Sequence, residues 1–285
     1  MAGTLFVVAT PIGNLEDISM RALRVLREAA LIAAEDTRRT GQLLARYAIR
    51  TPTTSLHEHN EHRKSRAIVD RLMGGDCVAL VTDAGTPGIS DPGRALVRAA
   101  GEAGVRVEPI PGPNAAIALL SVSGFDTDRF SFLGFPPIRS KDRANWLRAV
   151  AASSGTIVFY EAPHRIRRTL EEIRAEVGDL TAIVGRELTK AHEQLVKGPI
   201  SQVLGEALLE RGEFTVAMEM NREGHATGKI HGKPLSDAAL WQEFGDITEN
   251  AETTRYEAVR LLAERYGLPR NAVKAALERG KKLVE

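Results

Sequence analysis

The chain has 285 residues, of which 43% are hydrophobic and 26% charged, and its formal net charge is +1. This composition suits a soluble globular protein with room for two compact domains and a small third, and it gives no global attraction to nucleic acid. No run of about 18 apolar residues occurs, which excludes a transmembrane helix, and the lone Cys77 excludes an internal disulfide framework and fits a reducing cytoplasm.

The N-terminus carries no basic segment before its first apolar run, so it reads as a first strand and not as a signal peptide. Leu5 to Ala9 is that strand. Ser19 caps a helix through Ala29 that turns Leu23 and Leu26 inward. Leu31 to Ala34 is a second strand, ending in Glu35-Asp-Thr-Arg-Arg39, and a helix follows to about Tyr47. Thr53 to Leu56 is a third strand candidate, and Glu61 to Met73 a helix with Ile68, Val69 and Leu72 inward. Cys77-Val-Ala-Leu-Val81 is a further strand, in which Cys77 reads as core and not as a nucleophile. Asp91-Pro92 reads as an N-cap followed by proline at the first helical position, and Val105 to Val107 as the next strand. Strands alternating with helices predict a mostly parallel sheet covered on both faces over residues 1–115.

A second α/β block spans 116–221. Asn114 to Ser123 predicts a small apolar helix. Phe130 to Phe135, Thr156 to Tyr160, Thr181 to Val184 and Phe214 to Met220 are strand candidates. Helices fit over Lys141 to Ala152, Pro163 to Val177 and Ile200 to Glu210. Residues 222–250 read as a linker region, because Asn221 to Leu235 is rich in Gly and polar residues without periodicity. His225 and His231 lack the partners of a metal site. Residues 251–285 form a helical tail in which Val259, Leu262 and Tyr266, then Val273, Ala276 and Leu277, recur at helical spacing around Gly267-Leu-Pro269. Glu252 to Glu285 holds eight Lys/Arg and five Asp/Glu, net +3. The layout is that of a helix-turn-helix, and a plain helical hairpin fits it equally well.

Three loops follow strands: Thr10-Pro-Ile-Gly-Asn14, Thr82-Asp-Ala-Gly-Thr-Pro-Gly-Ile-Ser-Asp-Pro-Gly93 and Pro109-Ile-Pro-Gly-Pro-Asn114. Loops at the carboxyl ends of parallel strands are where open α/β sheets bind ligands, and glycines let backbone approach them. No dinucleotide fingerprint, phosphate loop or nucleophile elbow is present. His57, His59 and His62 alternate with acidic residues but meet no zinc spacing, so they read as a polar rim and no metal site is expected. Polar clusters at other strand ends, Tyr160-Glu-Ala-Pro-His-Arg165 and Arg186-Glu-Leu-Thr-Lys190, are compatible with helix capping or with a cleft between two α/β units.

Taken in order, these strings, with Ala9-Thr-Pro-Ile-Gly-Asn-Leu-Glu-Asp-Ile-Ser19, Ala34-Glu-Asp-Thr-Arg38, Pro111-Gly-Pro-Asn-Ala-Ala116 and Phe159-Tyr-Glu-Ala-Pro-His-Arg165, resemble the tetrapyrrole methylase superfamily, in particular its branch that methylates small-subunit ribosomal RNA. The resemblance implies two α/β domains of tetrapyrrole methylase type with an S-adenosylmethionine site in the cleft between them, plus a small helical tail. It implies a cytoplasmic homodimer, with no membrane association, that performs 2′-O-methylation of a cytidine ribose in the decoding region of 16S rRNA in the small ribosomal subunit. Pro11, Ala84, Gly85, Thr86, Ile89, Asn114, Ala115 and Glu161 are implied to contact the cofactor. Members acting on tetrapyrroles carry Gly-Asp-Pro where this chain has Gly85-Thr-Pro87, so Asp83 is expected to supply part of the polar recognition.

Methyl transfer is an in-line displacement governed by positioning, and a ribose hydroxyl is a poor acid that gains from a general base. Asp36, Glu187 and Lys190 are the catalytic candidates, although each also reads as a salt-bridged strand-end residue. Arg38, Arg165 and Arg186, with Arg270, Lys274 and Arg279 of the tail, are candidates to hold RNA. The competing expectations are a tetrapyrrole carbon methyltransferase and a non-catalytic RNA-binding assembly factor.

Overall fold

A computed structural model describes residues 2–206, 211–220, 236–250, 254–266 and 268–284. Residues 1–220 form one compact unit and residues 221–285 another.

The first unit opens with β1 (Thr4–Val8), α1 (Met20–Glu28), β2 (Leu31–Ala34), α2 (Thr37–Arg46), β3 (Thr53–Ser55), α3 (Glu61–Met73), β4 (Val78–Val81), α4 (Arg94–Glu102) and β5 (Arg106–Ile110). Its five strands are all parallel, in the order β3-β2-β4-β1-β5. β2 and β4 are buried along their whole length, as continuous apolar strands in a doubly covered sheet must be. Period-two alternation sorts their side chains. Ile32, Ala34, Ala79 and Val81 meet α1 and α2 through Leu23, Leu26, Leu43 and Leu44. Leu31, Ala33, Val78 and Leu80 meet α3 and α4 through Ile68, Leu72, Leu96 and Ala100. The chain runs outward to β3 and then returns to place β4 beside β1. Their loops therefore emerge side by side at the carboxyl edge, where open sheets bind ligands.

The unit continues with α5 (Ala115–Ser123), β6 (Phe130–Phe132), α6 (Ser140–Ala152), β7 (Thr156–Glu161), α7 (Ile166–Val177), β8 (Thr181–Arg186), β9 (Gln194–Pro199), α8 (Ile200–Gly205) and β10 (Phe214–Glu219). The second sheet has the order β6-β7-β10-β8-β9; only β6 and β7 run parallel. One face carries α6, α7 and α8 over Ile157, Phe159, Val184, Val216 and Met218. The other face is covered by α5, where Ala116, Leu119 and Leu120 pack with Val158, Ile183 and Ala217 and also with Ile12 and Leu188. That last cluster joins the two sheets.

The second unit contains α9 (Asp237–Asn250), α10 (Arg255–Tyr266) and α11 (Arg270–Val284). Leu240 and Phe244 of α9 pack with Ala258, Val259 and Leu262 of α10 and Val273, Ala276 and Leu277 of α11. The helix-turn-helix pattern of the tail thus has a third helix beside it. α9 lies in the stretch read as linker, while residues 221–235, with His225 and His231, lie outside the described residues.

Several boundaries differ from the sequence reading. α4 begins at Arg94 with Gly93 as its N-cap residue, and Asp91-Pro92 belongs to the preceding loop. The cap comes from α3 instead: Glu61 Oε1 accepts from the N–H groups of Gly93 (2.9 Å) and Ala95 (2.7 Å). α7 starts at Ile166 after a turn, and not at Pro163. β9 escaped notice because Gly198 and Pro199 close a strand that shows no apolar-in, polar-out alternation, with Leu195 and Lys197 both exposed.

Candidate functional site

The loops after β1 and β4 are tied together by backbone. Thr10 N–H donates to Gly85 O at 2.8 Å and Gly85 N–H to Thr10 O at 3.0 Å, while the buried Thr10 hydroxyl donates to Thr82 O at 3.0 Å. Gly85 has φ +80°, a conformation strained for any side chain, yet a Cβ there would meet nothing nearer than Ile12 Cγ2 at 3.6 Å. The space in front of it is open. Gly13 is the opposite case: a Cβ would fall 2.5 Å from Lys190 Cγ and 2.8 Å from Leu188 O. This close approach brings the β8 end against the β1 loop, and Asn14 N–H donates to the Thr189 hydroxyl at 3.0 Å. The loop after β5 ends at Asn114, whose Oδ1 caps α5 by accepting from Ala116 N–H (3.0 Å) and Ile117 N–H (3.3 Å).

These loops and the ends of β7 and β10 enclose a cleft of about 340 Å³, within the range of small-molecule sites. Asp83, Ala84, Gly85, Thr86, Ile89, Asn114, Ala115 and Glu161 line it. Pro11 lines a neighbouring cavity of about 330 Å³, with Lys190, Arg39 and Glu213. Asp36 and Glu187 line neither. Ile12, Phe135, Tyr160, Leu188 and Phe214 give the main cleft apolar walls, and its charged lining is Glu35, Asp83, Asp91, Glu161 and Glu213 against the single Arg39. An apolar slot with an excess of carboxylates fits a nucleoside that carries a sulfonium and an ammonium group, which is the chemistry of S-adenosylmethionine.

The carboxylates differ in state. Glu161 is 2% exposed and fully engaged: it accepts from Ala162 N–H at 2.7 Å, from the Thr169 hydroxyl at 2.5 Å and from Arg165 Nε at 3.1 Å. Glu35 Oε2 accepts from the Thr82 hydroxyl at 2.6 Å and from Asp83 N–H at 3.2 Å. Asp83 is pushed up by burial and by the charge of Glu35, opposed by the Asp36 N–H that it accepts at 3.0 Å and by Arg39 at 3.4 Å. Asp91 is pushed up to about 7 by burial, then by the charges of Glu35, Asp83 and Glu213, with the neighbouring Thr82 side chain acting in the opposite direction.

The catalytic candidates have other partners. Asp36 caps α2 and is held well below the usual carboxylate range by hydrogen bonds from the side chain and the backbone N–H of Arg38. The Lys190 ammonium holds Glu187 low. Burial acts to lower Lys190, but Glu187 (2.9 Å) and Glu213 (3.1 Å) outweigh it and hold the lysine up. Among the RNA candidates, Arg38 is exposed beside Asp36. Arg165 is largely buried against Glu161. Arg186 is 9% exposed and donates to Arg211 O at 2.9 Å. In the second unit Arg270 donates to the Tyr256 hydroxyl at 3.0 Å, Arg279 pairs with Asp237 at 2.7 Å, and Lys274 is exposed.

Sequence reasoning missed Asp91, Glu35, Arg39, Tyr160 and Glu213. Asp91-Pro92 imitates a helix cap, and Glu213 lies beyond every strand-end motif. Among the described residues no three His, Cys, Asp or Glu side chains are grouped so as to hold a metal ion.

The sequence profile of the Tetrapyrrole (Corrin/Porphyrin) Methylases matches residues 4–204. Ribosomal RNA small subunit methyltransferase I of Escherichia coli O157:H7 is 43% identical over 280 residues, covering 97% of this chain and 95% of the relative. The chain belongs to the ribosomal RNA small subunit methyltransferase I family of tetrapyrrole methylases. The Pseudomonas aeruginosa relative of the same name is 50% identical over 220 residues, covering 75% of this chain and 78% of the relative. Two solved structures share the fold. Diphthine synthase has TM-score 0.59 at 17% identity, covering 97% of this chain and 99% of that one. Uroporphyrin-III-C-methyltransferase from Thermus thermophilus has TM-score 0.55 at 19% identity, covering 76% of this chain and 94% of that one. Membership makes this chain a methyltransferase.

Proposed function

We propose that this methyltransferase uses S-adenosylmethionine to methylate the 2′-hydroxyl of a cytidine ribose in the decoding region of 16S rRNA. The observation that carries the reading is similarity over nearly the whole chain, helical unit included, to relatives named for the small-subunit RNA: 97% of the chain is covered.

When bound, S-adenosylmethionine supplies an electrophilic methyl group on a sulfonium. The chain's own part is placement. The Ala84-Gly85-Thr86 backbone and Asn114-Ala115 form the cradle, Ile12, Ile89 and Tyr160 the apolar walls, and Asp83 the polar anchor. Rigid supports fix that cradle through the Thr10–Gly85 bridge and the Glu161–Arg165–Thr169 network, so little reorganisation accompanies reaction. Lys190, held protonated, borders the Pro11 cavity as an anion anchor for RNA, with Glu187 and Asp36 fixing Lys190 and Arg38 respectively. Arg270 and Lys274 supply sequence-independent phosphate contacts. Exposed Ile117, Val122 and Leu195 support a homodimer. A ribosomal substrate places the enzyme in the cytoplasm, and no helix among the described residues is long and apolar enough to cross a membrane.

The test is incubation with methyl-labelled S-adenosylmethionine and either small ribosomal subunits or a porphyrinoid precursor, with the modified nucleoside identified after digestion. Label in 2′-O-methylcytidine supports the reading, whereas label in the porphyrinoid overturns it.

A further inference from the structure

A third cavity, of about 750 Å³, opens beside the cofactor cleft and shares three residues with it: Glu35, Ser90 and Asp91. Its far wall is the segment that leads into α3, and its floor is the start of α4. The wall is fixed. His57 N–H donates to Asn60 Oδ1 at 3.0 Å, and the His57 ring nitrogen Nε2 lies 2.8 Å from Asn60 Nδ2. Glu61 is committed to the first turn of α4. On the floor, Arg94 and Arg98 stand one turn apart, both exposed, and neither forms a salt bridge among the described residues. The buried His57 Nδ1 has no hydrogen-bond partner. This is a polar groove with two uncommitted cations, joined to a methyl-donor cleft at two acidic residues, Glu35 and Asp91.

We propose that this groove is the acceptor site: it holds a ribonucleotide of the RNA substrate, Arg94 and Arg98 bind its flanking phosphates, and Asp91 at the junction takes the proton of the ribose hydroxyl. The inference rests on the RNA-methylation reading and gives that reading its substrate side. In the step itself the O–CH3 bond forms as the S–CH3 bond breaks. The electron pair of the broken bond stays on sulfur, which becomes a neutral thioether, and the hydroxyl proton passes to the Asp91 carboxylate.

Three features favour Asp91 over the other carboxylates. It lines both cavities. Glu35, which also lines both, already accepts from the Thr82 hydroxyl and the Asp83 N–H. A base works best when its pKa lies near the working pH. Asp91, pushed up to about 7, meets that condition. Asp36 and Glu187 are held low and are weak bases, and Lys190 is held protonated. The charged and titratable groups that share the cleft with Asp91 are Glu35, Asp83, Glu161, Glu213, Tyr160 and Arg39. On the groove side they are His57, His59, His62 and Glu58, with Glu61 and the two arginines.

Three variants of the full chain test this, with small ribosomal subunits as the RNA and calorimetric titration of S-adenosylmethionine as the control. Arg94→Ala/Arg98→Ala should keep cofactor affinity but weaken subunit binding, and lower the slope of log affinity against log salt by roughly 1.4–1.8, the decrease expected when two phosphates go unneutralised. Arg94→Lys/Arg98→Lys should keep most of the slope. Asp91→Asn should keep cofactor and subunit affinity within about threefold and lower methyl transfer at pH 7 by roughly 10²–10⁴-fold. Carboxyl NMR titration of the wild type should show the Asp91 signal moving near neutral pH. An unchanged salt slope in the Arg94/Arg98 alanine variant overturns the groove. Near wild-type turnover in Asp91→Asn, or an Asp91 that titrates in the ordinary carboxylate range, overturns the base. A wild-type protein that neither binds nor methylates the subunit removes the functional reading and this inference with it, and is told apart by failing before any substitution is made.

Discussion

Asp91→Asn should stabilise the protein, and only where Asp91 is charged. The folded-state pKa is raised from 3.8 to about 7, with burial the largest cause. A raised carboxyl pKa means that the fold disfavours the ionised form. The folded and unfolded states bind the same proton below pH 4, so no penalty exists there. Between about 4 and 7 the unfolded chain has lost its proton while the folded one retains it, and stability falls as pH rises through that window. Above about 7 the full penalty is present. A shift of this size corresponds to at most about 4 kcal/mol. Asp91 is only partly shielded and solvent screens it, which reduces the expectation to about 1–2 kcal/mol. Asparagine removes the charge and retains the shape. Urea unfolding of wild type and variant at pH 4, 5.5, 7 and 8.5 should therefore show curves that coincide at pH 4 and separate by about 1–2 kcal/mol at pH 8.5. Equal stabilities at every pH would refute the claim that burial strains this carboxylate, and a destabilised variant at pH 8.5 would show that the ionised form has a stabilising partner.

Further outcomes follow from the same geometry. Gly85→Trp should fold with about 1–2 kcal/mol of backbone strain, because its Cβ has room, yet lose S-adenosylmethionine binding in calorimetry as the indole fills the cleft; unchanged affinity would move the site elsewhere. Glu161→Ala should lower the urea-derived stability by about 3–5 kcal/mol, since it leaves Arg165 without its buried partner; a decrease under 1 kcal/mol would show the network to be dispensable. Asp36→Ala, Glu187→Ala and Lys190→Ala should each keep single-turnover methylation within about tenfold of wild type, and a drop of roughly 10²–10⁴-fold in any of them would make that residue the base. Truncation after Arg222 should leave a folded protein that binds S-adenosylmethionine but binds small ribosomal subunits weakly, with a salt slope lower by roughly 0.7–0.9 for each phosphate that the helical unit neutralises; wild-type affinity and slope would reduce that unit to an appendage.

The first sheet was legible because its signals are local. β2 and β4 are unbroken apolar runs, Ser19 caps α1 by accepting from Ala22 N–H, and the three loops announce themselves by Gly and Pro. The second sheet was less legible, since β9 ends in Gly198-Pro199 and packs on one side only. α9 was hidden inside a range whose first half is polar, although Leu240 and Phe244 are core residues. The site was legible where one loop supplies neighbours in space, as from Asp83 to Ile89. It was hidden where neighbours come from distant chain. Glu213, Tyr160 and Phe135 reach the cleft from the second sheet, and Glu61 caps α4, far from it in sequence, only through folding. Asp91 was visible and misassigned, because Asp before Pro is locally the pattern of a helix start. Only the cap supplied by α3 shows that the aspartate is left for the cleft.

The central claim is that the acidic, glycine-turned cleft serves a methyl transfer to the RNA of the small subunit. Its most direct test is nucleoside analysis of small ribosomal subunits treated with the purified full chain and methyl-labelled S-adenosylmethionine. The account predicts label confined to one 2′-O-methylcytidine of the decoding region. Label on a base carbon or nitrogen, or on no nucleotide while a porphyrinoid becomes labelled, would contradict it.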